Sequence, residues 1–182
     1  HEPYVFEGPE ELTHTAFVVD ETIETIKNHQ NQPFFCIAGI YAPHCPINPP
    51  ARFIEQFDID AMPLPKRLEA QNCHDVSDQR WREVMAHYLA LVSHVDDQVG
   101  RLLRALDDFG LRDDTIVIFT SDHGEYLGDH GRVGKGGPED ASSRVPLIVS
   151  YPNAVKAGFE HNQLIEHVDL APTILDWCGV QT

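Results

Sequence analysis

Trp81, Val84, Met85, Tyr88, Leu91, Val92, Val95, Val99, Leu102, Leu103 and Leu106 step by three or four along the chain. That spacing draws one apolar stripe along a helix of several turns. Gly110 stands where a glycine C′ residue belongs. A nearly continuous apolar run, residues 33–41, precedes this helix, and a second, Thr115-Ile116-Val117-Ile118-Phe119-Thr120, follows it. Such runs fit strands buried on both faces. Strand, helix and strand in this order predict a parallel crossover with the helix packed on the sheet. The expected class is therefore α/β with a mainly parallel central sheet.

The rest of the chain fits around that unit. At 182 residues one domain with one core is the default. Residues 1–12 are acidic and carry Pro3, Gly8 and Pro9, so they read as an arm. Residues 13–29 show helical spacing, with Thr13 as the N-cap. Residues 46–79 hold many prolines and little periodicity, which predicts a long loop region with short helical turns near 51–57. A third strand is expected over 145–151, and a helix over 169–177 with Pro172 in its first turn.

Charge and cysteine count remove some functions. A formal net charge of −16 argues against nucleic acid and against a polybasic membrane contact. No apolar stretch approaches the roughly 18 residues that span a bilayer. An anionic small substrate remains compatible if its pocket is locally positive. Cys36, Cys45, Cys73 and Cys178 show no C-x-x-C spacing, so a zinc ribbon is not expected. Buried free thiols are the favoured reading, with a Cys36–Cys45 bridge as the alternative. The compartment stays undecided.

The polar residues at strand ends carry the chemistry. In open α/β sheets, ligands sit beyond the carboxyl ends of strands. Asp122 and His123 end the 115–120 run. They suit a metal if the chain turns at Gly124, because neighbours on an extended strand point to opposite faces. The alternative is an Asp that caps a turn beside an exposed His. Two ligands are also too few for calcium or zinc, so others must come from elsewhere. Lys135 lies in Gly134-Lys135-Gly136-Gly137, a loop that could bring an ammonium to an oxyanion or be a solvated surface turn. His44 ends the first apolar run, where a histidine can donate a proton to a leaving oxygen or sit held in a proline-rich turn. His130, in Gly128-Asp129-His130-Gly131, is a weaker candidate of the same kind. Arg144 reads as an ion-pair partner, and Asp96 and Asp97 as charges beside the helical stripe.

Pro33-Phe34-Phe35 through Tyr41-Ala42-Pro43-His44 resembles the strand-and-histidine segment of type I sulfatases, members of the alkaline-phosphatase superfamily. The resemblance continues through Ser93-His94-Val95-Asp96-Asp97-Gln98-Val99-Gly100 and the stretch from Thr115 to Gly131. It then runs through Lys135 and Arg144-Val145-Pro146-Leu147-Ile148-Val149 to Asp169-Leu170-Ala171-Pro172-Thr173, in the family's order. It implies a three-layer sandwich, present here in part. It also implies roles: Asp122 and His123 as metal ligands, Lys135 as a sulfate contact, and His44 as a sulfate contact that protonates the leaving alcohol. The implied metal is calcium, with magnesium or manganese as alternatives. The implied substrate is a sulfated small molecule or sugar.

The chain also departs from the family pattern. Sulfatases make their formylglycine nucleophile from the cysteine of a C-x-P/A-x-R motif, and none of the four cysteines here lies in one. The paired aspartates expected upstream are missing too. The resemblance therefore covers the central to C-terminal part of a catalytic domain, residues 1–182, and the isolated chain is expected to be inert. Two alternatives stand beside the sulfatase: a phosphonate monoester or phosphodiester hydrolase of the same superfamily, and a non-catalytic binding or assembly module. A partial sheet should expose an unpaired edge, which predicts a dimer or larger assembly.

Overall fold

The computed structural model describes residues 2–66 and 76–180. Its backbone divides into a helical half and a half built on a small sheet.

Helix α1, His14–His29, begins as expected at Thr13, whose Oγ1 accepts a 3.2 Å hydrogen bond from the Ala16 amide. It buries Ala16, Val19 and Ile26 with Thr15 and Thr22, a single face at spacings of three and four. The short helix α2, Ala51–Ile54, falls inside the turn region expected near 51–57. Helix α3, Asp78–Asp108, is capped by Ser77, whose Oγ accepts from the Arg80 amide at 3.2 Å. It stops at Gly110, which takes φ +68°. There the Leu111 amide donates to the Leu106 carbonyl and the Gly110 amide to the Asp107 carbonyl, satisfying the open end of the helix. Helix α3 buries Trp81, Leu91, Val95 and Leu106, and packs on α1, on α2 and on the turn Ile59–Ala61. Each large apolar side chain so buried contributes about 1.5–3 kcal/mol. The exposed Arg101–Asp20 pair at 2.6 Å adds little to this contact.

The sheet differs from expectation. Strand β1, Val117–Thr120, pairs antiparallel with β2, Leu147–Ser150, in the register Val117↔Ser150 to Thr120↔Leu147. The parallel crossover is therefore not what organises the described residues, and α3 packs on helices. The cause is the connection. Between β1 and β2 the chain doubles back on itself, with the Tyr126 amide donating to the Gly134 carbonyl and the Gly128 amide to the Arg132 carbonyl. The only α-helix in that return is α4, Asp140–Ser143, too short to carry a parallel crossover. Residues 33–41 also depart from the buried strand expected there: they join no ladder among the described residues. Phe35 is 72% exposed and Ile37 78%.

Three further features frame the site. The arm runs beside the segment after His44, with the Tyr4 amide donating to Ile47 and the Phe6 amide to Pro49. Helix α5, Leu170–Trp177, carries Pro172 in its first turn as expected and reaches the residue after β2 through the Tyr151–Trp177 ring contact at 5.7 Å. Cys36, Cys45 and Cys178 are free thiols; Cys36 and Cys178 are exposed, which corrects the expectation of burial, and Cys73 lies outside the described residues. Much of the expected 46–79 loop is described, but residues 67–75 are not. No helix among the described residues is long and apolar enough to cross a membrane.

Candidate active site

Four of the five residues singled out from the sequence come together. The chain leaves β1 at Thr120 and bends through Ser121 and Asp122. The Ser121 hydroxyl donates to the His123 carbonyl at 2.9 Å, and the Asp122 carboxylate accepts from the His123 amide at 3.1 Å. The bend turns both side chains to one side, leaving Asp122 Oδ2 3.6 Å from His123 Nε2. Gly124 is not in the left-handed region; it matters because its Cα lies against α4, where a Cβ would fall on the Ala141 carbonyl oxygen.

The hydrogen bonds assign the His123 tautomer. Nδ1 lies 2.7 Å from the Gly124 carbonyl oxygen, which can only accept, so Nδ1 carries the proton. Nε2 is then a lone pair, and the Lys135 ammonium donates to it at 2.7 Å. Lys135 reaches this point between Gly134 and Gly136, both at positive φ. His44 approaches from the other side. Its ring centroid is 6.2 Å from that of His123, edge to face, and Tyr41 backs it at 4.6 Å. His44 Nδ1 faces its own neighbour's acceptor, the Cys45 carbonyl, at 2.9 Å. The other ring nitrogen, Nε2, is thereby the one placed to pass a proton. His14 extends the row of rings to α1 through Tyr41 at 6.1 Å. A cavity of about 160 Å³ lies beside this row, lined by His14, Tyr41, His44, Asn48, Leu91 and His94 among others.

His130 takes a different place. Its ring packs edge-on to Tyr126 at 6.5 Å, and its amide donates to the Lys66 carbonyl. It belongs to a second network that sequence patterns did not reveal. Tyr126 is buried; its hydroxyl donates to Glu139 at 2.5 Å, and Arg132 donates to both Tyr126 and Glu139. The Tyr126 hydrogen bond holds the Glu139 carboxyl below its ordinary range. Nothing in the spacing of a tyrosine and a glutamate across a glycine-rich loop signals such a contact. Asp97, read as a charge beside the helical stripe, pairs with Arg52 at 2.9 Å, and Arg52 also grips Glu10. Arg144 makes a loose 3.8 Å pair with Asp140.

A divalent ion can be tested against these donors. Asp122 offers carboxylate oxygens on a side chain that is 85% exposed; the His123 Nε2 lone pair, which here accepts from Lys135, would join them only with the ammonium moved aside. This donor chemistry fits one side of a cation site. Among the described residues, no group of three or more His, Cys, Asp or Glu side chains could hold a metal ion, so the set is partial.

Comparison with known proteins gives the same chemistry a family. The arylsulfatase of Clostridium perfringens is 30% identical over 192 residues, covering 95% of this chain and 40% of that protein. The N-acetylglucosamine-6-O-sulfatase of Bacteroides thetaiotaomicron is 43% identical over 102 residues, covering 56% of this chain and 18% of that protein. The phosphonate monoester hydrolase of Silicibacter pomeroyi superposes with a TM-score of 0.89 at 31% identity, covering 96% of this chain and 39% of that one. The chain thus spans well under half the length of these relatives. This fold likeness places the described elements in an alkaline-phosphatase-like architecture. The family model described as Sulfatase matches residues 3–180, and the chain belongs to the sulfatase family of the alkaline-phosphatase superfamily.

Proposed function

We propose that the protein containing this chain hydrolyses sulfate esters, and that this chain supplies part of its metal and oxyanion site. One observation carries the reading: in a sulfatase-family chain, Lys135 at 2.7 Å, Asp122 at 3.6 Å and the His44 ring at 6.2 Å all gather on His123, although they come from segments up to 91 positions apart in the 182-residue sequence.

Each side chain has a task that its geometry supports. Lys135 offers three N–H donors on a tether held by two glycines at positive φ, so it can follow an oxyanion over a short distance. His44 in its protonated form can give the Nε2 proton to a leaving alkoxide or phenoxide, which otherwise departs with full negative charge. Asp122 and His123 would hold a divalent cation, calcium in this reading with magnesium or manganese as alternatives, which supplies Lewis-acid stabilisation of the anion. The nucleophile of the reading is a formylglycine from a C-x-P/A-x-R segment that these 182 residues do not contain. The isolated chain is therefore proposed to be inert. The substrate proposed is a sulfated small molecule or sugar, in keeping with the name of the Bacteroides relative.

The test is turnover of aryl and sugar sulfates by the complete protein with calcium. Lys135→Ala should lower kcat/KM by about 10²–10³, the loss usual for one oxyanion donor. His44→Ala should hurt alkyl sulfates more than esters of acidic phenols, which leave without a proton. Absence of sulfate ester cleavage under these conditions would end the reading. The likeness to a phosphonate monoester hydrolase favours a second reading, cleavage of phosphonate monoesters or phosphodiesters at the same site. Parallel assays with sulfate monoesters and phosphonate monoesters separate the two by their kcat/KM ratio.

A further inference from the structure

Ser142 sits in α4, outside every residue so far given a task, and is 5% exposed. A buried serine must pair its polar atoms inside the protein. It does so with the two segments that carry the site. Its carbonyl oxygen accepts from the Gly124 amide at 2.8 Å, the residue next to His123. Its hydroxyl oxygen accepts from the Gly136 amide at 3.0 Å, the residue next to Lys135. One buried residue thus fastens both sides of the His123–Lys135 contact. Close approach at Gly124, where any Cβ would strike the Ala141 carbonyl oxygen, shows how tightly α4 is drawn against the Asp122-His123 bend. Gly136 takes φ +112°, so the backbone after Lys135 has no intrinsic preference for this conformation in a non-glycine chain. Its amide is tied to Ser142 Oγ, which selects one conformation for a glycine free to take others.

We infer that Ser142 is a positioning residue: its hydroxyl holds the glycine loop so that Lys135 meets the His123 side of the site. The inference rests on the proposed function only for its kinetic consequence; the geometric claim stands without it. A loosened lysine tether costs turnover through misplacement, since shifts of about 1 Å in a charge-stabilising group cost up to about a hundredfold.

Ser142→Ala removes the hydroxyl and leaves the carbonyl contact to Gly124, so it isolates the Lys135 half of the clamp. The measurement uses the complete protein stripped of divalent cations, so that the His123 Nε2 lone pair faces Lys135, with nitrogen-15-labelled histidine side chains at one fixed pH. Lys135→Met should move the His123 Nε2 resonance, because it removes the donor at that lone pair. Ser142→Ala should move the resonance in the same direction, and adding it to Lys135→Met should change nothing more. In turnover, Ser142→Ala should lower kcat about tenfold with KM within about twofold, and this loss should vanish in the Lys135→Met background. If Ser142→Ala does not fold, Ser142→Cys, which weakens the acceptor and keeps the shape, is read in the same way. A His123 resonance unmoved by either single substitution, or shifts that add in the double variant, would overturn the inference. If the protein proves not to cleave sulfate esters, the resonance measurement alone decides, so the two ideas fail separately.

Discussion

The helical half and the sheet half bury themselves to different degrees. In α1 and α3, Ala16, Val19, Trp81, Ala86, Ala90, Leu91 and Leu106 are all buried. Around β2 and α5 the apolar side chains stand open: Ile148, Phe159, Ile165 and Val168 are exposed, Leu164 is 100% exposed, and α5 buries no residue. The two helices close a core between themselves, whereas the sheet half offers apolar surface that its own described residues do not cover. The difference teaches where the site gets its rigidity. His44 leans, through Tyr41 and His14, on the helical half. Asp122, His123 and Lys135 depend on a dense set of loop hydrogen bonds, because little apolar packing is available beside them.

Substitutions can break this contrast. Trp81→Ala should cost about 3–5 kcal/mol, measured by chemical denaturation of the complete protein, because it opens a cavity in the closed core. Thr13→Ala should cost about 1 kcal/mol by removing the α1 cap, seen as a lower denaturation midpoint at unchanged slope. Leu164→Ala, at a fully exposed position, should change stability by less than about 0.5 kcal/mol. A cost at Leu164 equal to that at Trp81 would mean that the sheet half has a cover as complete as the helical core. The two tryptophans, Trp81 in α3 and Trp177 in α5, sharpen the same question without a cavity. In the 182-residue chain itself, with Trp177→Phe and Trp81→Phe each leaving one tryptophan, the Trp177 signal should change at lower denaturant than the Trp81 signal.

Acid should act on the helical half. His94 is 1% exposed, and burial lowers its pKa from the ordinary imidazole value. Phe53 packs on its ring, and Glu10, Arg52 and Asp97 are the charged groups facing it. Burial thus favours the neutral ring in the folded state, so the unfolded chain takes up a proton first as pH falls. Stability is then full above about pH 6.5 and declines below it, down through the lowered folded value. Glu10, held below its ordinary range by Arg52, adds a second loss that begins below about pH 4.3. His94→Phe should flatten the first decline and leave the second, a slope read from thermal midpoints across pH.

What the sequence made legible was local or chemical. Thr13 and Gly110 marked helix ends because capping is decided within a few residues, and the stripe from Trp81 to Leu106 marked α3 because its period is a one-dimensional signal. His44, Asp122 and His123 were visible because polar residues at the ends of apolar runs are unusual, and Lys135 because it stands alone among glycines. Strand direction was not visible. The apolar run before Asp122 reads the same whether its neighbour is parallel or antiparallel, and the return through Tyr126, Gly134 and α4 that decides it depends on contacts across the loop. Ser142 and the Tyr126–Glu139–Arg132 network were hidden for the same reason: a serine or tyrosine becomes a clamp only through its partners. Residues 33–41 had the composition of an interior strand but no ladder partner among the described residues.

The arm has a mechanical meaning of its own. Phe6 forms a parallel bridge with Pro50 and hydrogen-bonds Pro49, while Tyr4 hydrogen-bonds Ile47, only three positions beyond His44. Residues 4–6 thus brace the turn that bears His44 from behind. A protease nick near Gly8 would work like a slackened guy-rope, shifting the His44 turn without touching the His44 ring.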